Sequence, residues 1–142
     1  MINKADYEVL SLLRRNARVK IVDLAEELSM PHSTAQLRIR RLQKTIIHKT
    51  CSVLNFSILE FPVRTLYLFS FPGKKRLSQE LFTHCSVNNA YRTTTGFDYC
   101  LDCYFRNVGE SNKFNEQLEK EGCKKISFFF VTEELKVEES IP

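Results

Sequence analysis

The chain has 142 residues, 43% of them hydrophobic, and a formal net charge of +4. That length holds one ordinary domain or two small ones, and that apolar share is enough for a packed core, which excludes a disordered chain. No apolar run approaches the roughly 20 residues that cross a bilayer, and the N-terminal stretch lacks a signal-peptide pattern, so a cytoplasmic protein with no membrane partner is expected.

The charge is unevenly placed. Residues 1–50 hold ten Lys/Arg against five Asp/Glu, whereas residues 51–142 hold eleven against twelve. A basic excess confined to one segment suits a phosphate-binding module, because affinity for DNA comes largely from neutralising backbone phosphates and releasing their counterions. Placement of the arginines must separate this from an ordinary solvated surface.

In chain order, the spacing predicts a first helix over Lys4 to Arg15, with Val9, Leu10, Leu13, Tyr7 and Ile2 on its inner face and Asn16 ending it. Ile21, Leu24, Ala25 and Leu28 fall at i, i+3, i+4 and i+7, a full apolar stripe for a second helix. Ser29 and Pro31 interrupt it, and Ser33 or His32 stands where an N-cap begins a third helix that runs to about Lys44. On that helix Ala35, Ile39 and Leu42 lie within about 60° of one another and form the packed face. Ser33, Leu37, Arg40, Arg41 and Lys44 occupy the opposite side, with Thr34, Gln36 and Arg38 on the flanks. This is a helix-turn-helix with a basic third helix, and double-stranded DNA is the expected partner. In a major groove such a face offers guanidinium groups for guanine edges or phosphates, an amide for adenine, and in Leu37 an apolar contact for a thymine methyl.

Ile46 to Leu54 reads as extended, a wing or an exit strand with His48 and Lys49 near the DNA backbone. Thr45 stands where a helix end commonly has Gly, so that corner is expected to be strained or differently shaped. Pro62 marks the expected junction. Val63 to Phe71 then reads as a strand, Leu77 to Phe82 as a short helix, and Val87 to Thr94 as a second strand. After a turn at Gly96-Phe97 come a strand over Asp98 to Phe105, a helix over Ser111 to Glu121 ended by Gly122, and a strand over Ile126 to Thr132. The order βαββαβ is that of a ferredoxin-like sheet with both helices on one face. The fold class is therefore α+β, an N-terminal winged helix-turn-helix followed by a ferredoxin-like domain. The expected boundaries are 1–50 for the DNA-binding domain, 51–61 for a linker strand, 62–137 for the second domain and 138–142 for a tail.

Leu66 and Leu68 alternate with Tyr67 and Phe69, and Phe129 alternates with Phe128 and Phe130, so the first and last strands are apolar on both faces. A solvated open face would be polar. A second copy of the sheet is the simplest cover, which makes a homodimer the expected state.

The five cysteines, Cys51, Cys85, Cys100, Cys103 and Cys123, are odd in number and irregular in spacing, so reduced and mostly buried thiols are expected. Cys100 and Cys103 are three apart in a strand-like run and point to opposite faces, which suits neither a metal site nor a redox pair. No metal or other cofactor is expected.

Asp6, Val9-Leu10, Leu13, Asn16-Ala17-Arg18, Leu24-Ala25, Ser33-Thr34-Ala35, Arg38-Ile39 and Arg41-Leu42 together resemble the pattern of the Lrp/AsnC family of transcriptional regulators, and the resemblance extends over nearly the whole chain. It implies a regulator whose third helix enters the major groove, working as a dimer, tetramer or octamer. It also implies an amino acid effector bound near a Thr-Gly-x-aromatic-Asp turn. Here that turn is Thr95-Gly96-Phe97-Asp98, one residue shorter between Gly and Asp. Where such regulators carry a hydroxyl near the start of the last strand, this chain has Ile126 and three phenylalanines, and a charged ligand buried against phenyl rings without partners is costly. A ligand-independent architectural repressor is thus the alternative. Sirohaem decarboxylases resemble the same two-domain plan, but of His32, His48 and His84 only the last lies outside the DNA-binding part, and no acid-base constellation converges, so no enzyme is expected.

Overall fold

The computed structural model describes residues 2–73, 76–94 and 96–137. It forms two compact units, one over residues up to Val53 together with the stretch from Leu135, the other over Leu54–Glu134.

The first unit is built on three helices, α1 (Lys4–Arg15), α2 (Ile21–Glu27) and α3 (His32–Thr45). Asn3 starts α1 through a capping box: its side chain accepts from the Asp6 N–H while the Asp6 carboxylate accepts from the Asn3 N–H. Val9 and Leu12 of α1, Leu24 and Ala25 of α2, and Ala35, Ile39 and Leu42 of α3 make one buried cluster. Val9 is buried and Leu10 and Leu13 pack against this cluster as expected of the inner face of α1, but Ile2 and Tyr7 are exposed and Leu12 and Asp6 are buried instead. Between α2 and α3 the chain reverses at Ser29, whose φ of 49° is left-handed, and the Met30 N–H donates to the Ala25 carbonyl. Pro31, rather than Ser33 or His32, is the cap of α3; proline's fixed φ leads into the first turn but supplies no side-chain acceptor. Thr45 ends α3 without a left-handed residue, its hydroxyl donating to the Arg41 carbonyl.

Residues 46–55 hold no strand, and Phe56 to Glu60 form a turn, so neither the extended wing nor the linker strand expected over 51–61 forms as a regular strand. That turn belongs to the second unit: Phe61 N–H donates to the Phe56 carbonyl, and the Phe56 ring stacks on Tyr104 at 3.9 Å.

The second unit carries β1 (Val63–Ser70), α4 (Gln79–Phe82), β2 (Val87–Arg92), β3 (Tyr99–Phe105), α5 (Val108–Lys120) and β4 (Lys124–Phe130). The sheet order is β2-β3-β1-β4 and every neighbouring pair is antiparallel. Thr65, Tyr67 and Phe69 of β1, with Leu101, Cys103 and Phe105 of β3, point to the buried face, where Leu81, Phe114 and Leu118 of the helices meet them. Asn107 caps α5 three residues earlier than expected by accepting from the Glu110 N–H. Cys100 and Cys103 do lie on opposite faces, and burial raises the Cys103 thiol far above its ordinary value. Two other thiols depart from expectation, because Cys51 and Cys85 are exposed.

Candidate nucleic-acid interface

The buried edge of α3 fixes what its other side presents. With Ala35, Ile39 and Leu42 inward, Ser33, Leu37, Arg40 and Lys44 form an outward strip at i, i+4, i+7 and i+11. Leu37 is 72% exposed, a large apolar side chain held in water between cations. Arg40 and Lys44 are exposed as well, and neither has an ion pair among the described residues. Thr34 and Gln36 are half-buried on the two shoulders of the strip. His48 and Lys49 are exposed beyond the end of α3.

The remaining two arginines are turned elsewhere. Asp6 is fully buried at the start of α1, and its two oxygens take Arg38 Nη1, at 2.7 Å, and Arg41 Nη2. Burial alone would raise the Asp6 carboxyl, but the Asn3 N–H and the two guanidinium groups outweigh it and hold the group below the ordinary carboxylate value. Arg38 Nη1 also donates to Asn3 Oδ1, whereas its buried Nε has no acceptor among the described residues. Of the three arginines expected to offer free guanidinium groups, then, only Arg40 does so; Arg38 and Arg41 line one wall of a shallow cleft of about 340 Å³ with Asn3, Ser33, Thr34 and Leu37. Asp6 and Asn3 are the members of this site that spacing on α3 does not reveal. The signal for them is the Asn-x-x-Asp capping pattern, which places a carboxylate in the first turn of α1.

At the first turn of α3 no side chain caps the helix, and the bond from Ala35 N–H to the Pro31 carbonyl is the first of its ladder. The N–H groups of His32, Ser33 and Thr34 therefore stand at a positive helix end, the arrangement that favours anions.

In the second unit, Thr95 of the candidate effector turn lies outside the described residues. Gly96 has φ of 96° and its carbonyl accepts from the Ser70 hydroxyl, while the Phe97 carbonyl accepts from Thr93 Oγ1 at 2.7 Å. Asp98 Oδ2 accepts from the Phe71 N–H at 3.0 Å, so that carboxylate holds the end of β1. The sheet face away from the helices carries Leu66, Leu68 and Phe129, and beside Leu66 on β3 a polar group. There Arg64 grips Asp102 through Nε and Nη2 at 2.7 and 2.9 Å, Asn89 Nδ2 donates to the same carboxylate, and Glu134 also pairs with Arg64.

Residues 2–45 match the family described as winged helix-turn-helix DNA-binding. Over 136 residues the chain is 26% identical to the HTH-type transcriptional regulator Zrp of Zymomonas mobilis, covering 91% of this chain and 86% of that protein. Its fold is similar to that of the transcriptional regulator NMB0573 from Neisseria meningitidis, solved as a complex with L-Met, at a TM-score of 0.87 and 21% identity over 100% of this chain and 97% of the other. LrpC of B. subtilis aligns at a TM-score of 0.87 with 14% identity, covering 96% and 98%. An AsnC family regulator from Agrobacterium tumefaciens aligns at 0.81 with 17% identity, covering 99% and 97%. With residues that match a DNA-binding helix-turn-helix at its start and the fold of these regulators along its length, the chain is similar to DNA-binding transcriptional regulators of the Lrp/AsnC type.

Proposed function

We propose that α3 enters the major groove of its operator with the strip Ser33, Leu37, Arg40 and Lys44 toward the bases and phosphates, and Thr34 and Gln36 at its margins. The exposed Leu37 on the same strip as the unpaired Arg40 and Lys44 carries this reading, because a solvated surface gains nothing from an apolar side chain at that place, whereas a thymine methyl does. The bare N-terminus of α3 adds a seat for a phosphate. Arg38 and Arg41 contribute positive potential at the groove edge while Asp6 fixes their direction. The protein works by binding in the cytoplasm, where its DNA lies, and not by catalysis.

The acting unit is a homodimer joined through the open sheet face, with any tetramer or octamer assembled from dimers. Leu66, Leu68 and the 55% exposed Phe129 support it, since each large apolar side chain taken from water contributes about 1.5–3 kcal/mol. Two such copies suit a site with two-fold symmetry.

For regulation, an amino acid effector at Thr95, Gly96, Phe97 and Asp98 is suggested by the L-Met complex of the N. meningitidis regulator. A ligand-independent repressor is the second reading, favoured by the bond from Phe71 N–H that already engages Asp98. Selection of bound sites from a random duplex pool at fixed salt tests the central proposal: a two-fold motif is expected, and recovery of unselected sequence by a folded protein would refute it. Calorimetry across the twenty amino acids separates the two modes of regulation.

A further inference from the structure

We propose that the second unit binds a small organic carboxylate with a flat apolar body, in a cleft at the end of the sheet away from the Gly96 turn. The cleft measures about 430 Å³, within the range of small-molecule sites. It lies where β3 ends at Phe105, opposite Val63 of β1, whereas the Gly96 turn leads into Tyr99 at the start of β3. The two places are separated by the length of the strand, about 20 Å at the rise of an extended chain.

The floor is aromatic. Phe105 and Phe114 are buried with one side toward the cleft, and Phe61 forms a wall. The rim is cationic: the Arg106 guanidinium lies over the Phe61 ring, 5.4 Å from its centre, and Lys113 stands on α5 beside Phe114. Among the described residues neither cation has a carboxylate partner. Glu110, which also lines the cleft, is already engaged, because its Oε2 accepts from the Arg106 backbone N–H at the start of α5. His84 accepts from the Ser86 N–H through Nδ1, which leaves Nε2 as the ring's donor at the cleft.

Two cations without carboxylate partners at the rim of an aromatic cleft, one of them over a phenyl ring, select a particular chemistry. An alkyl or aryl body removes the ring faces from water, and a single carboxylate satisfies the guanidinium and the ammonium together through charge-assisted hydrogen bonds. None of these side chains belongs to the α3 strip, to the open sheet face or to the Gly96 turn. The ligand is thus a regulator's second input, at a site separate from that of any amino acid held at the turn.

Saturation-transfer NMR on the full chain, with phenylacetate as probe and no DNA present, tests this. Saturable transfer to the phenyl protons is expected, weaker for 2-phenylethanol, which lacks the charge. Arg106→Gln and Lys113→Gln, both at exposed positions, should each weaken phenylacetate about tenfold, while Asp98→Asn should leave it unchanged. No saturable transfer, indifference to both cation substitutions, loss in Asp98→Asn, or tighter binding of zwitterionic phenylalanine through the same two residues would each overturn it. Since no duplex enters the assay, its result stands apart from the fate of the proposed reading strip.

Discussion

Asp6 and Arg38 join the beginning of α1 to the middle of α3, with the carboxylate oxygen 2.7 Å from Nη1 and the carboxylate itself shut away from solvent. Arg41 completes the group one turn further along α3. A buried carboxylate with two cationic partners is stable only while both remain, so this contact fixes the rotation of α3 about its own axis. Asp6→Asn should cost about 3 kcal/mol, toward the lower end for breaking a buried ion pair because the half-exposed Arg41 can turn to water. Urea unfolding of the variant measures it. A loss under about 0.5 kcal/mol would show that the group contributes little.

The same carboxylate sets an acid limit. Its folded value lies below the ordinary 3.8, so the unfolded chain takes up the proton first as pH falls. The stabilisation is therefore complete above about pH 4 and is lost as pH drops from there through the folded value. Thermal melts between pH 6 and pH 3 should fall steeply at the acid end, and Asp6→Asn should flatten that fall.

On DNA, Arg40→Ala and Lys44→Ala should each weaken binding to all duplexes and reduce the slope of log K against log salt by about one. Leu37→Ala should leave the slope alone and relax the preference for thymine at one position, a difference of about 1 kcal/mol or more between selected and altered sites. Fluorescence anisotropy at several salt concentrations reads both. Equal slopes for the wild type and Arg40→Ala would remove Arg40 from the interface.

For assembly, Phe129→Asp should raise the dimer dissociation constant by at least about a hundredfold, since a carboxylate without a partner would be buried among Leu66, Leu68 and their copies. Sedimentation velocity gives the mass directly. An unchanged dimer would assign the interface to another surface.

The three helices of the first unit were legible because their apolar residues recur at the helical period and short polar segments stop them; α1 runs over Lys4–Arg15 as the spacing predicts. The order βαββαβ was legible for the same reason, from aromatic and β-branched runs punctuated at Pro72-Gly73, Gly96 and Gly122. What spacing did not disclose was contact at long range. Arg38 and Arg41 read as free cations on α3, and their capture by Asp6, more than thirty residues earlier, depends on how α1 crosses α3. The stretch after α3 has strand-like composition, yet a strand needs a neighbour to pair with, and residues 46–55 have none among the described residues. The start of α5 was placed late because Val108-Gly109 are poor helix formers, and the Asn107 cap outweighs them. The expectation of mostly buried thiols fails at Cys51 and Cys85, because both fall on connecting segments, which run over the surface.

The pairing of Arg64 with Asp102 on the sheet face that also carries Leu66, Leu68 and Phe129 bears on more than the strength of association. Sliding an apposed copy by one repeat of the pleat would lay a phenyl ring over the ion pair and strip its remaining water with nothing given in return. In the proposed dimer that penalty discriminates among alignments that pure hydrocarbon contact would treat alike, and so acts as a registration key for the two sheets.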